Sequence, residues 1–402
     1  MARLMTSGFE LNSITAGVEF VATNGTPTIS TTTIRTGTFA GRCSSLSSGT
    51  AKNFRLQFLT VAGTGDGPYY VRQYLNIATL PSAENRIISG RDSIAGVDYM
   101  YITLDNTGVL RLYDSVGVIG SASATLSTGV WYRIEWSFTQ GGVGTGSVEA
   151  KIDGTAFASS TTRTNANGPD LVRLGGNLGG EAQTTGDWFF DDVAANDSSG
   201  SFQTSYPGDG KVIHVLPDAA GDSNQWLKTA GGAGTSTNFQ EVDEVTPDDA
   251  TTMVKTTTLN DIDMYNCAAS GIGAGDIVNV VSVGMRYNND TADTVGAFRV
   301  RLEKTGSGTV AESVDRIPNS ITWKTNTLNG SDESATIYPL VTYQDPDSAN
   351  WTQATLDTMQ IGIKYTINGA QLIQVSKVWA NVDYTPVTFT PSRRRMMTGV
   401  GS

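Results

Sequence analysis

The sequence predicts an all-β protein of two tandem antiparallel sandwiches with little helix, and three observations lead there. Gly (45 residues) is abundant and charged residues make up only 16% of the chain. Ala, Leu, Glu and Lys are nowhere concentrated as a long helix would require. Short runs of Val, Ile, Tyr, Thr and Phe alternate with polar residues and are separated by Gly, Asn, Asp and Ser, the pattern of strands and turns. Finally, 402 residues suffice for two cores.

Taken in order, Val18–Val21, Thr28–Ile34, Phe54–Val61 and Tyr69–Ile77 read as strands. Tyr99–Leu104 and Val109–Tyr113 flank Asp105-Asn106-Thr107-Gly108, the plainest hairpin in the chain. In Gly129–Phe138, Trp131, Arg133, Glu135 and Ser137 share one face. Tyr132, Ile134, Trp136 and Phe138 share the other, which is expected to face the core. Gly146–Asp153 follows, with Asp153-Gly154 turning the chain into a further strand, and Asp187–Val193 closes the block. A Ser/Gly/Asn/Asp-rich stretch ends in a linker at 201–210.

The second block spans 211–386, with strands at Lys211–Leu216, Ile277–Tyr287, Ala297–Lys304, Ala335–Tyr343, Met359–Thr366 and Lys377–Tyr384. A short helical turn is expected within Trp351–Met359, capped by Asn350 or Thr352. Residues 387–402 are expected to form a flexible arm. A jelly roll is preferred over an immunoglobulin-like sandwich because the Cys-Trp-Cys arrangement is missing.

The formal charge is −12. Such a balance argues against general nucleic-acid binding, which needs clustered cations. The basic cluster Arg393-Arg394-Arg395 reads as a solvated end or as an assembly contact on an acidic neighbour. Cys43 and Cys267 are expected to be free, buried thiols in a chain folded in a reducing compartment. The N-terminal residues lack a signal-peptide core, and no apolar run approaches membrane-spanning length.

The single His214 alternates with apolar residues and reads as structural. With two separated cysteines, it cannot assemble a usual zinc or iron site. Glu241-Val-Asp243-Glu244-Val-Thr246 resembles the Glu-x-Asp-x-x-Glu strand of laminarinase-like hydrolases, but Thr246 replaces the second essential acid and Pro247 breaks the strand. These features predict that the chain is not an enzyme. No cofactor is expected. Calcium is the one ion the acid-rich turns could hold, at Asp187, Asp191 and Asp192 or at Asn288-Asn289-Asp290 with Asp293, although no regular calcium loop is present. The glycines of Gly271–Gly275 lead into a strand and read as a turn.

The Tyr99–Val193 block, with Leu126-Ser-Thr-Gly-Val-Trp-Tyr-Arg-Ile-Glu, Val148-Glu-Ala-Lys-Ile-Asp-Gly and Phe189-Phe-Asp-Asp-Val, resembles a concanavalin A-like (laminin-G-like) lectin domain. The opening Met-Ala-Arg-Leu-Met-Thr-Ser-Gly-Phe-Glu is similar to structural proteins of tailed bacteriophages, as are Asn238-Phe-Gln-Glu-Val-Asp-Glu and Trp351-Thr-Gln-Ala-Thr-Leu-Asp-Thr-Met. The second resemblance implies a virion structural protein, a multi-copy capsid decoration or tail component made in the host cytoplasm. Its expected partners are other virion proteins and further copies of itself. The first implies a carbohydrate-binding module, with Tyr69, Tyr70 and Trp188 as stacking residues for surface glycans. A polysaccharide-degrading enzyme is the remaining alternative.

Overall fold

The computed structural model describes residues 2–45, 51–59, 67–165, 167–176, 184–229, 236–249, 251–290, 296–318, 321–325, 340–369 and 372–387. Arg393, Arg394 and Arg395 lie outside them, as does Asp293. Four antiparallel sheets form two face-to-face sandwiches, as the strand pattern requires. In the first sandwich one sheet runs Thr155–Asn165, Gly141–Ile152, Trp131–Thr139, Tyr69–Thr79, Asp187–Asn196, Ala40–Ser44, Thr28–Ser30, with Arg3–Ser7 also pairing with Asp187–Asn196. The facing sheet runs Val118–Ile119, Leu110–Asp114, Asp98–Leu104, Asn85–Arg91, Leu171–Gly176, Lys52–Gln57, Ala22–Asn24.

Alternation fixes which side chains meet between these sheets. Ile134, Trp136 and Phe138 are buried in the core with Val71, Leu75, Val148 and Ala150, against Ile88, Ile102, Leu112, Leu174 and Phe54 of the other sheet. The expected core face of the Trp131–Thr139 strand is therefore the observed one. Both predicted turns are present. Asp105 accepts from the backbone N–H of Thr107 (2.8 Å) and Val109 (3.0 Å). Asp153 (φ 51°) and Gly154 (φ 86°) both adopt the left-handed conformation that two-residue hairpin turns demand.

The expected strand at Val18–Val21 is not formed. The Glu19 carboxylate instead takes hydrogen bonds from Ser7 Oγ (2.5 Å) and the backbone N–H of Phe9 (3.0 Å). Phe20 packs its ring 4.8 Å from that of Phe54, and strand pairing resumes only at Ala22. Side-chain satisfaction outweighs strand propensity here.

In the second sandwich Ile373–Thr385 and Ile277–Asn289 form the long central pair of one sheet, which also takes in Lys211–Val215, Val254–Thr256, Leu227–Lys228, Leu340–Thr342 and Lys324–Thr325. The other sheet runs Pro217–Asn224, Ile262–Cys267, Met359–Ile367, Ala297–Lys304, Val310–Glu312. The expected helical turn is Gln353–Leu356, and Thr352 caps it reciprocally with Thr355. Among the described residues no helix is long and apolar enough to cross a membrane.

The two sandwiches share a buried ionic seam. Asp383, on the last strand, accepts from Arg3 Nη1 (2.6 Å) and Arg72 Nη2 (3.2 Å), and all three side chains are at most 1% exposed. Arg286 donates to the Gly17 carbonyl (2.8 Å), and Trp379 packs with Leu11 and Val18 in a small core of their own.

Candidate functional site

Strand register builds a polar row across the outer face of the first sheet. Asn196, Tyr70, Ser137, Glu149 and Ser159 stand opposite one another on five successive strands. Each points away from the core because its neighbours in sequence point into it. The next row holds Arg72, Glu135 and Lys151.

The segment after the first sandwich crosses this face. Tyr206 Oη lies 2.8 Å from Ser137 Oγ and donates to Glu149 Oε2 at 2.6 Å. Gly208 N–H donates to Glu135 Oε1 (2.8 Å), and Tyr74 Oη bonds to Asp209. Burial and the Glu149 carboxylate push the Tyr206 phenol up, so it stays a donor.

Between this strap and the edge strand Thr155–Asn165 opens a groove of about 340 Å³, lined by Tyr70, Thr139, Glu149, Ser159, Ser160 and Tyr206, among others. The Tyr70 and Tyr206 rings meet edge to face at 5.0 Å. Lys151 Nζ sits 3.6 Å over the Tyr206 ring, leaving Tyr70 as the half-buried aromatic platform of the groove. An aromatic surface, a carboxylate and a rim of hydroxyls are the groups that bind a polyhydroxylated ligand.

Of the three expected stacking residues, only Tyr70 lines this groove. Tyr69 is 4% exposed and packs on Phe58 in the core. Trp188 is fully buried, with Gly176 and Gly186 close against its ring. Alternation explains both outcomes, since Tyr69 and Tyr70 must face opposite ways and Trp188 falls on the inward side. Neither buried ring can stack on a ligand.

The acid-rich turns serve other partners. Asp187 pairs with Arg42 (2.7 Å). Asp191 accepts the backbone N–H of Arg35 (2.9 Å), and Asp192 accepts that of Val212 (2.6 Å) and pairs with Arg35. Burial and then its neighbour Asp192 drive the Asp191 carboxyl well up. Asn288 and Asn289 are buried. Among the described residues no group of three or more His, Cys, Asp or Glu side chains is arranged to hold a metal.

Both cysteines are buried and unbridged. His214 stacks at 6.0 Å on Trp379, and burial and then Lys377 drive its imidazole well below its usual range. The 241–246 acids do not form a strand. A 3₁₀ turn ends at Glu241, and Glu244 Oε1 accepts from Thr252 Oγ1 (2.6 Å).

No family model and no curated protein matches the chain. Among solved structures, a fungal endo-β-1,4-glucuronan lyase from Trichoderma reesei is similar over 48% of this chain and 95% of its own, at 16% identity and TM-score 0.33. A Trypanosoma rangeli sialidase is similar over 48% of this chain, at 15% identity and TM-score 0.33, and the match spans 30% of the sialidase. Domain 4 of an extracellular GH43 arabinanase from Geobacillus stearothermophilus, solved with arabinotriose, is similar over 49% of this chain and 93% of its own, at 15% identity and TM-score 0.31.

These are β-sandwich modules of carbohydrate-active proteins, and none of the three is a virion protein. The expectation that the chain is not an enzyme is corrected by them. All three are named as enzymes or as a domain of one. At these identities and TM-scores the likeness is one of fold and assigns no reaction or substrate to this chain.

Proposed function

We propose that the chain is a glycan-binding protein and that the groove between Tyr70, Glu149 and Tyr206 takes the sugar. The cross-strand row carries this reading. It sets an aromatic platform and a carboxylate on the two strands that flank Trp131–Thr139 in a rigid sheet and surrounds them with hydroxyl side chains. A pyranose ring lies its C–H face on Tyr70, while its hydroxyls donate to Glu149 and exchange hydrogen bonds with Ser159 and Ser160. The site is pre-formed because the Tyr206 hydroxyl already fixes Ser137 and Glu149.

Glycan-array screening of the full chain, with and without calcium, followed by titration calorimetry tests this. Tyr70→Ala removes the stacking surface and is expected to weaken binding by about fivefold, or ~1 kcal/mol. Glu149→Gln loses a charge-assisted acceptor and is expected to weaken it by at least about tenfold. No glycan bound under either condition rejects the reading.

The likeness to tailed-phage structural proteins supports a further arrangement, in which several copies are mounted on a virion and contact its other proteins while the groove faces outward. Multiple copies would turn a weak single-site affinity into adhesion. Mass spectrometry of purified particles checks it, with absence of the chain as the contrary result.

A further inference from the structure

The other sheet of the first sandwich carries a second row with different chemistry. Arg55, Arg173, Ser89, Tyr101 and Tyr113 are register partners on five successive strands, all on the face turned away from the core. At a strand spacing of ~4.8 Å the row is roughly 19 Å long. Arg91 and Arg86 flank it on the strand that carries Ser89.

One carboxylate, Asp98, sits at the centre of this group. It accepts from Arg86 (2.8 Å), Arg91 (3.0 Å) and Arg173 (3.2 Å). Among the described residues Arg55 forms no ion pair with a carboxylate, and its Nε donates to Asn53 Oδ1 at 3.4 Å. At the far end, Arg86 lies 3.5 Å over the Tyr101 ring, and Tyr101 stacks on Tyr113 at 4.9 Å, nearly parallel. Tyr113 therefore ends the stack.

Four arginines around one aspartate are out of place in a chain with 27 basic and 39 acidic residues. Their crowding carries a cost. Burial lowers the Arg173 guanidinium to about 10, with Asp98 opposing and Arg91, Arg55 and Arg86 adding to the fall. Arg55 is lowered for the same two reasons, burial and Arg91. An anion arriving between Arg55 and Arg91 relieves that repulsion. All these cations are arginine, the residue whose planar fork matches a carboxylate or sulfate bidentately.

The geometry points to this face as a second binding surface, specific for a polysaccharide with an acidic group on its sugars, with Arg55 and Arg91 holding the anion and Tyr113 stacking on a neighbouring ring. Nucleic acid fits less well. Duplex DNA carries a charge every ~1.7 Å of its length, and the strongly acidic remainder of this protein repels so dense a polyanion. A polymer with one acid per sugar ring spaces its charges on the scale of adjacent strands.

The test is affinity electrophoresis and calorimetry of the full chain with polygalacturonate, heparin, neutral dextran and duplex DNA. Binding to polygalacturonate or heparin is expected, weakening as salt rises from about 50 to about 200 mM. Arg55→Ala is expected to lower that affinity by about fivefold at unchanged melting temperature, Arg91→Ala to lower it about equally with some loss of stability because Arg91 also pairs with Asp98, and Arg55→Lys to restore part of it. The tighter of the two anionic polymers identifies the group recognised. No binding to either, an unaltered affinity in both alanine variants, or DNA bound as tightly with the same arginine dependence would overturn the assignment. Tyr70→Ala leaves this binding unchanged, so failure of the groove and failure of this face are separable.

Discussion

Asp383 offers the sharpest test of how the two sandwiches are joined. Its carboxylate is fully buried and is shared by Arg3, on the first strand of the chain, and Arg72, in the middle of the first sheet. Burial alone would raise its pKa, but Arg72 and Arg3 outweigh that and hold the carboxyl below its ordinary range. Replacing Asp383 by Ala leaves two guanidiniums buried without their counter-charge. Removing one partner of such a buried pair costs about 3–5 kcal/mol. At about 2–4 °C per kcal/mol for a unit of this size, the melting temperature falls by roughly 10 °C.

Calorimetry of Asp383→Ala, Arg3→Ala and the double variant measures this. The coupling is expected to exceed about 1 kcal/mol, because the residues touch within one network. The sign of the pH effect is also fixed. With a lowered folded pKa, the contribution of Asp383 is complete above the unfolded carboxylate value of about 3.9 and is lost as pH falls through the folded value. Asp383→Asn should therefore lose the corresponding part of the acid sensitivity. A melting-temperature change under about 2 °C with coupling near zero would refute the view that this ion cluster holds the seam.

Other expectations concern pH and packing. Burial raises Glu10 to about 8, against hydrogen bonds from the backbone N–H of Phe39 and Thr38, and raises Glu19 to about 7. Raised carboxyls contribute stability that is full below about 4.5 and is lost as pH climbs through the folded values, at up to about 1.4 kcal/mol per pH unit and group. Lys377 is lowered by burial to about 8, so stability returns between that pH and its unfolded value of about 10.4. Urea melts from pH 5 to 10 should show a minimum near pH 8, and Glu19→Gln should make the fall shallower. Gly284→Ala would place a Cβ 2.2 Å from the buried Trp379 ring and is expected to destabilise by about 1–3 kcal/mol, read from the urea midpoint.

Strand alternation and turn chemistry made much of this fold readable. Ala297–Lys304 has the expected bounds, and Thr352 is one of the two caps anticipated for the short helix. Asn85–Arg91 and Leu171–Gly176 escaped because they are short, carry glycine and mix arginine with apolar residues. Tyr70 could be singled out as an aromatic but not distinguished from Tyr69 until the inward face was fixed. Ser137 lay visibly on a polar face, and Glu149 in the strand that follows. That they stand beside Tyr70 depends on pairing among strands far apart in sequence, which periodicity within a strand does not encode. Tyr206 was hidden for another reason: it sits in a stretch with a linker's composition. It is held by hydroxyl and carboxylate contacts, not by an apolar pattern.

The central position of Ile373–Thr385 in its sheet bears on how the molecule is made. A chain emerging from a ribosome can close the first sandwich once Asp187–Asn196 is available to pair with Arg3–Ser7 and Tyr69–Thr79. The second has no such early completion. Lys211–Val215, Val254–Thr256 and Ile277–Asn289 must all wait for the one strand that pairs with each of them. That same strand brings Asp383 to Arg3 and Arg72. A nascent chain thus carries a finished half and an unfinished half for much of its synthesis, and a product stopped short of residue 373 lacks both the second sheet's centre and the acid at the seam. Such a fragment leaves two buried arginines without their counter-charge and exposes unpaired strand edges, surfaces that chaperones and proteases recognise.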